Sequence, residues 1–208
     1  MLIPFKNLQR KYPHFKPKGV LHVGAHEGQE RAAYREIGIE KMIFIEAIPD
    51  IYKRLLKNCQ DYPEAICFNE CVSDVDGEEI TFKISNNDGQ SSSFLELGTH
   101  KQMHPDVHFI REIKCQTVRL DTLLVGLEPE YDFLNIDLQG AEGHALRGMG
   151  KLLEQFKYLY LEVNTTEVYE GCIQLEELEE YVGQFGFKKK DILFPGNCTW
   201  GDCYFDKE

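Results

Sequence analysis

Short apolar stretches alternate with amphipathic ones along most of this chain. The first apolar stretches, at 20–24, 42–46 and 65–72, have the length and residue types of strands. Segments with apolar residues at helical spacing follow the first two of them, at 27–37 and 51–58. Strands that alternate with helices in this way predict an α/β fold with a parallel sheet between layers of helices.

The same alternation returns in the second half of the chain. Strands are predicted at 133–137 and 158–163, and helices at 141–155 and 174–185. Two closing strands, near 187–193 and 203–205, are separated by Gly196 and Asn197, residues that favour a tight turn. We therefore predict a mostly parallel sheet that ends in a C-terminal antiparallel hairpin.

A polar segment interrupts this pattern. Between predicted strands at 78–84 and 112–119 lie residues 85–110, which are rich in Ser, Asn, His and Gly. The segment is long for a plain connection, so we interpret it as a functional lid or insert. Because residues 1–18 are basic and contain three prolines, we expect an N-terminal arm over 1–18. One domain is then expected over 19–208, with its lid at about 85–110.

Composition excludes several classes of partner. At 208 residues the chain suits one domain with a sizeable core. Its net charge of −12 repels nucleic acid and anionic membranes. No apolar stretch approaches the length of a membrane span, and the first residues lack the apolar run of a signal peptide. We expect neither a nucleic-acid partner nor a membrane partner, while the oligomeric state stays open.

The seven cysteines favour reduced thiols, because their number is odd and several lie in strand-like sequence. Cysteines that stay reduced predict a cytoplasmic protein. Neither Cys67 with Cys71 nor Cys198 with Cys203 has the Cys-x-x-Cys spacing that is typical of zinc sites. We therefore expect no zinc.

Three histidines of the polar segment are spaced by four residues. His100, His104 and His108 would share one face of a continuous helix, as metal ligands do. Pro105 interrupts such a helix. Contact with solvent or substrate is therefore favoured over a metal, although a single divalent ion held by strand-end acids and a histidine stays an alternative.

The first predicted strand runs into a glycine turn. It ends in Gly24, Gly28 follows, and Glu46 ends the second strand. Glycines let the backbone approach a ligand, and a helix that follows offers its free N–H groups. An acidic side chain at the end of the second strand is placed to accept hydrogen bonds from ribose hydroxyls. Together these features predict a nucleotide-cofactor site.

Acidic residues end three predicted central strands, namely Glu46, Asp137 and Glu162. Ligands of open α/β sheets bind at the carboxyl ends of the strands. Helix or turn capping is the competing interpretation for each acid. We take Asp137 and Glu162 as candidate catalytic residues, His22 as a core residue of its apolar strand, and His26 as a residue of the turn that faces the cofactor.

Seven separated motifs occur in the order known from one enzyme family. They are HVGAHEGQ at 22–29, FIEA at 44–47, VSD at 72–74, SSS at 91–93, LNIDLQGAE at 134–142, YLEVN at 160–164 and WGDCYF at 200–205. From about residue 19 to its end, the chain resembles the FkbM-type methyltransferases, a branch of the class I S-adenosylmethionine-dependent enzymes. The resemblance implies a three-layer, Rossmann-like class I methyltransferase fold with S-adenosylmethionine as cofactor.

The resemblance also implies roles for particular residues. Glycines of the turn border the methionine part of the cofactor, Glu46 holds its ribose, and residues 69–74 line the adenine pocket. The cofactor-binding residues expected are Gly24, His26, Gly28, Glu46, Ala47, Val72, Ser73 and Asp137. Asp137 would face both the sulfonium and the acceptor. The chain departs from the common family pattern at His22, Asn135 and Gln139.

Methyl transfer from a sulfonium is a displacement, in which orientation alone can contribute on the order of 7–11 kcal/mol. A hydroxyl acceptor also needs a base, for which we favour Asp137 over Glu162, a lid histidine or a metal-acidified hydroxyl. We predict O-methylation of a small polyhydroxylated metabolite or glycan precursor. One alternative is an NAD-dependent oxidoreductase, which the Gly24-x3-Gly28 spacing disfavours. The other is a non-catalytic binding module on the same fold.

Overall fold

A seven-stranded sheet forms the centre of the computed structural model, which describes residues 1–208. The ten strands of the chain are β1 (Gly19–Val23), β2 (Lys41–Ile45), β3 (Ala65–Phe68), β4 (Cys71–Val72), β5 (Glu79–Ser85), β6 (Phe109–Val118), β7 (Tyr131–Ile136), β8 (Tyr158–Asn164), β9 (Lys188–Leu193) and β10 (Trp200–Asp206). The central order is β3-β2-β1-β7-β8-β10-β9. Only β10 is antiparallel to its neighbours, which confirms the parallel sheet with a closing hairpin.

Helices cover both faces of this sheet. They are α1 (Phe5–Lys11), α2 (Arg31–Glu36), α3 (Pro49–Asn58), α4 (His100–Met103), α5 (Leu120–Leu123), α6 (Glu142–Met149) and α7 (Leu175–Gly183), and a 3₁₀ segment, Gly150–Gln155, extends α6. One core contains buried residues of α5, α6 and α7, and the other contains those of α1, α2 and α3. This gives the three layers expected. No helix combines the length and the apolar character that crossing a membrane requires.

The predicted strand at 65–72 is wrong as a single element, because it divides between two sheets. Its first half is β3 of the central sheet, and its second half is β4 of a small sheet ordered β4-β6-β5. Asn69 lies at the division, where its side-chain amide donates to the carbonyl oxygens of Glu46 (2.8 Å) and Ala47 (3.1 Å). This contact replaces the next rung of the strand ladder and turns the chain away from β2.

The segment predicted as an arm packs against the sheet. Phe5, Leu8 and Phe15 are at most 1% exposed. The Phe5 ring stacks on that of Tyr34 with 5.1 Å between centroids. Seven residues are too few for a helix to be stable alone, so α1 depends on this packing and local sequence gave little sign of it.

The first helix of the domain starts later than predicted. The segment 27–37 was expected to be helical throughout, but α2 begins at Arg31. His26 and Gly28 have φ angles of 49° and 73°, a left-handed conformation that no α-helix contains. The residues between β1 and α2 therefore form a tight turn beside the sheet edge.

Candidate active site

One row of residues crosses the carboxyl edge of the central sheet. Strand register pairs Glu162 directly with Asp202, and it pairs Tyr160, two residues earlier, with Asn135. Because every second residue of a strand faces the same side, the row can be followed from strand to strand. In the order β2, β1, β7, β8, β10 it consists of Glu46, Gly24, Asp137, Glu162 and Asp202.

All five members of this row line one cavity of about 470 Å³. The structure thus brings together the three strand-end acids that the sequence singled out. Asp202 is a fourth acid at the same edge, and sequence reasoning missed it. The reason is that β10 is antiparallel, so the residue that reaches the edge lies near the start of the strand rather than at its end.

The turn at Gly24 brings two strands into very close contact. Gly24 has a φ of 79°, and a Cβ atom added there would lie 1.8 Å from the carbonyl oxygen of Asp137. The amides of Gly24 and Ala25 both donate to the Ile45 carbonyl at 2.9 Å. Only glycine fits at this position, and its backbone is left facing the cavity.

Gly28, the second glycine of the motif, has a different environment. It is buried and does not line the cavity. An added Cβ would lie 2.8 Å from Leu55 Cδ1 on α3. Direct contact of Gly28 with a cofactor, as expected from the sequence, thus has no support in its position, and packing against α3 explains this glycine.

Glu46 ties the glycine turn to the end of β2. Its Oε2 accepts from the His26 amide at 2.9 Å, and its Oε1 accepts from the Ile48 amide at 2.8 Å. Burial raises the pKa of this carboxyl, against the lowering effect of these backbone hydrogen bonds. Each carboxylate oxygen keeps a lone pair for a further donor, and Glu46 and Ala47 both line the cavity.

His26 joins the turn to the polar segment between β5 and β6. Its Nε2 lies 2.9 Å from the Asp88 carbonyl oxygen, and its Nδ1 lies 2.8 Å from Gln29 Nε2. His22 lies deeper, at 3% exposure, with its Nδ1 3.2 Å from the Tyr34 hydroxyl. Burial lowers the pKa of His22 to about 4, so the ring is neutral near pH 7. The ring is thus buried as a core residue is, and it also borders the cavity.

A small apolar slot adjoins the cavity at the end of β4. Glu70, Cys71 and Val72 line it, and it shares Ala47 with the large cavity. Ser73 lines neither space. Its amide donates to the Val118 carbonyl oxygen at 3.0 Å, and its hydroxyl donates to Asp74 Oδ1 at 3.2 Å. Of the two residues expected here, Val72 is therefore at the site and Ser73 supports the neighbouring strand.

Gln139 links the two candidate catalytic acids. Its Nε2 donates to Asp137 Oδ1 (2.7 Å) and to Glu162 Oε2 (3.1 Å). The Tyr169 hydroxyl donates to Gln139 Oε1 at 2.8 Å, which fixes the amide orientation. Gln139 has a φ of 53°, a strained conformation that non-glycine residues adopt mainly at functional sites. Gln139 lies in a turn after β7, and the only sign of this turn in the local sequence is that Gly140 follows directly.

The two acids differ in ionisation. Burial raises the pKa of Asp137 to about 6. Burial, with the neighbouring Asp137 charge as a second cause, raises the pKa of Glu162 well above its ordinary value. Because the two carboxyl groups are coupled, ionisation of Asp137 opposes ionisation of Glu162. Asp137 is the ionised member, and no protein group donates to its Oδ2.

Glu142 supports the turn that carries Gln139. It is fully buried at the start of α6, and its Oε1 accepts from the amides of Leu138 (2.8 Å) and Gly140 (3.2 Å). Burial raises the pKa of Glu142 to about 7. The residue lies behind the turn and does not line the cavity.

The three lid histidines do not form a metal site. His100 and His104 line the cavity with their rings 5.0 Å apart, whereas His108 is exposed outside it. Helix α4 ends at Met103, before Pro105, as predicted. No three His, Cys, Asp or Glu side chains of the chain are arranged so that they could hold a metal ion. All seven cysteines are free thiols.

Comparison with known sequences identifies related proteins. A family model described as the methyltransferase FkbM domain matches residues 22–189. The 2-O-methyltransferase NoeI of Sinorhizobium fredii is 27% identical to this chain over 175 residues, which cover 80% of this chain and 71% of NoeI.

Solved structures share the fold at low sequence identity. The ribosomal protein L11 methylase of Lactobacillus delbrueckii subsp. bulgaricus superposes with a TM-score of 0.53 at 11% identity, over 96% of this chain and 74% of the methylase. The magnesium protoporphyrin IX methyltransferase of Synechocystis PCC 6803 was solved with bound S-adenosylmethionine. It superposes with a TM-score of 0.54 at 8% identity, over 97% of this chain and 75% of that methyltransferase. The fold is that of the class I methyltransferases.

Proposed function

This chain belongs to the FkbM family of S-adenosylmethionine-dependent methyltransferases, and from that premise we propose that it methylates a hydroxyl group of a small polyhydroxylated metabolite or glycan precursor. The observation that carries the proposal is the pair of Asp137 and Glu162, held by Gln139 in the same cavity as Glu46. A base is needed to accept a hydroxyl proton, and this pair supplies an ionised carboxylate beside a protonated one.

The cavity fits S-adenosylmethionine on several grounds. Gly24 lines the cavity with its backbone, and the side chain that it lacks would point at the Asp137 carbonyl oxygen of the neighbouring strand. Glu46 has lone pairs for two ribose hydroxyls, and apolar side chains, among them that of Phe82, line the same cavity. Five acidic side chains and no Lys or Arg line the cavity, which suits the positive sulfonium. When bound, the cofactor supplies the electrophilic methyl group.

Each acceptor-side residue has a defined task in this proposal. Asp137 would take the proton from the acceptor hydroxyl through its free Oδ2, which makes the oxygen nucleophilic. The bound cofactor would supply the methyl group, and its sulfur would keep the electron pair of the broken carbon–sulfur bond. Glu162, which carries the shared proton, donates a hydrogen bond toward the acceptor. Gln139 keeps the two carboxyl groups in fixed positions, and NoeI, a 2-O-methyltransferase, supports oxygen as the acceptor atom.

Isotope labelling of a cell extract tests this proposal. The purified protein is incubated with a small-molecule extract and S-adenosylmethionine carrying an isotopically labelled methyl group, and new labelled products are identified by mass spectrometry. We expect a labelled methyl ether of a polyhydroxylated compound, which should form much more slowly when the Asp137→Asn variant is used. A product labelled only on nitrogen or carbon would contradict O-methylation. If the protein binds the cofactor tightly but no compound of the extract becomes labelled, the result would favour a non-catalytic binding module.

The rate of transfer and the stability of the fold are expected to change in opposite directions with pH. The pKa of Asp137 is raised from 3.8 to about 6 in the folded protein. Between these values the folded state binds more protons than the unfolded chain, so the free energy of unfolding falls as pH rises. The rate rises over the same interval as the base ionises, and it levels off above it.

Steady-state rates and thermal unfolding midpoints between about pH 4 and pH 8 measure these two trends. The Asp137→Asn variant serves as control, since it has no carboxyl to titrate at this position. Both slopes should become shallower in the variant. A rate that falls as pH rises through 6 in the wild-type protein would contradict a carboxylate base with a pKa of about 6.

A further inference from the structure

Aromatic rings form one wall of the cavity at the end away from Glu46. Tyr169, His100, His104 and Trp200 follow one another with centroid distances of 5.5, 5.0 and 6.4 Å, and all four line the cavity. Trp200 is half-buried, and its Nε1 donates to His104 Nε2 at 3.4 Å, which holds the indole in place. Two of the rings come from the lid, so the wall closes over the sheet edge.

Carboxyl groups border the same space from the sheet. Trp200 and Asp202 lie on the same face of β10, two residues apart, and Asp202 pairs with Glu162. No Lys or Arg lines the cavity. His100 adds no positive charge near pH 7, because burial lowers its pKa to about 4. The one cation at the cavity, the Met1 ammonium, is already paired with Glu30 (3.7 Å) and Asp202 (4.0 Å), so a phosphate or carboxylate group in this space would meet an excess of like charges.

Unused hydrogen-bonding groups lie at this end. His100 is 5% exposed and lines the cavity, yet its Nδ1 has no partner. Asn164, the cross-strand partner of Trp200, also has no partner for its amide atoms, but it is 1% exposed and does not line the cavity. Buried polar atoms without partners are uncommon in folded proteins. A hydroxyl group of a ligand in the cavity can bond to the unpaired Nδ1 of His100.

We propose that this end of the cavity is an acceptor subsite for a sugar ring that bears no phosphate or carboxylate, with Trp200, His104 and His100 determining its specificity. The C–H face of a sugar packs on the aromatic rings of this wall, and its hydroxyls bond to the carboxyl groups of the sheet edge and to the free Nδ1 of His100. Sugar phosphates and nucleotide sugars are excluded by charge. This inference rests on the proposed function, because it names the class of molecule that carries the methylated hydroxyl.

The only tryptophan of the chain is Trp200, so tryptophan fluorescence reports on this subsite alone. Protein saturated with S-adenosylhomocysteine is titrated with uncharged methyl glycosides and oligosaccharides, and in parallel with the corresponding sugar 1-phosphates and uronic acids. We expect a saturable change in emission with at least one uncharged sugar. Its phosphorylated or carboxylated counterpart should bind roughly tenfold or more weakly, because of the like charges.

Two lid variants form a matched pair for this titration. His100→Ala removes a ring of the wall, whereas His108→Ala removes an exposed histidine of the same segment that lies outside the cavity. The first should weaken the sugar response roughly tenfold, the size expected for one or two lost hydrogen bonds. The second should leave it unchanged. Calorimetric titration with S-adenosylhomocysteine shows whether each variant is folded.

Three results would overturn the inference. The first is that no uncharged sugar changes the tryptophan emission. The second is that charged sugars bind as tightly as their uncharged counterparts. The third is that the labelled product of the extract experiment is a hydroxylated compound other than a sugar. The last result would leave the proposed O-methylation intact. Failure of the wild-type protein to bind S-adenosylhomocysteine would instead overturn the proposed function itself.

Discussion

Replacing Asp137 with Asn is expected to lower kcat for methyl transfer by roughly 10²–10⁴-fold, the usual contribution of a general base. The amide cannot accept the hydroxyl proton, although it has the size of the carboxyl and keeps an oxygen for Gln139. S-Adenosylhomocysteine carries no sulfonium charge, so its affinity should change little in the variant. Single-turnover rates and calorimetric titration separate the two effects.

Glu162→Gln is the matched control for this prediction. In the proposed mechanism Glu162 is the protonated member of the pair, which accords with the raised pKa of its carboxyl. An amide N–H can replace its hydrogen-bond donor, and we expect a loss of kcat below roughly tenfold. Burial holds both side chains in place, so the two substitutions disturb packing to a similar extent. A larger loss of kcat in Glu162→Gln than in Asp137→Asn would contradict the assignment of Asp137 as the base.

Replacing Gly24 with Ala is expected to abolish cofactor binding and to lower the free energy of unfolding by roughly 3 kcal/mol or more. The new Cβ would lie 1.8 Å from the Asp137 carbonyl oxygen, on a backbone with a φ of 79°. The clash pushes β1 away from β7 at the point where the row of edge residues crosses both strands. Urea denaturation measures the loss.

Gly77→Ala separates backbone strain from this clash. Gly77 has a similar φ of 71°, but nothing lies within 4 Å of an added Cβ. Gly77→Ala should therefore lower the free energy of unfolding only by the strain of an alanine in the left-handed conformation, about 1–2 kcal/mol. Equal destabilisation of the two variants, or wild-type affinity of Gly24→Ala for S-adenosylhomocysteine, would show that close contact at Gly24 is unimportant.

The parallel part of the sheet made much of the site predictable. In a parallel sheet every strand ends at the same edge, so acids at the ends of three apolar strands could be expected to meet. Glu46, Asp137 and Glu162 do line one cavity. Asp202 escaped this reasoning, because its position depends on how the antiparallel β10 is aligned with β8. That alignment is a long-range property.

Other differences arise from contacts between residues that are distant in the sequence. Gly28 looked like a ligand-binding glycine, but it provides space for Leu55, a contact 27 positions away in sequence that no local pattern reveals. Helix α1 forms because Phe5 and Leu8 pack against the sheet. Gln139 joins two acids on different strands, so its role emerged only with the tertiary fold.

Calorimetric titration of S-adenosylhomocysteine into the wild-type protein and the Glu46→Ala variant tests most directly whether the cavity is the cofactor site. Loss of two hydrogen bonds to a charged group, each worth about 1.5–3 kcal/mol, should weaken binding roughly a hundredfold or more. Because Glu46 also holds the His26 and Ile48 amides, thermal unfolding of the same samples must first show a folded variant. We expect one site per chain in the wild-type protein and strongly weakened binding in the folded variant. Absence of binding to the wild-type protein, or equal affinity in the two proteins, would contradict this cofactor site.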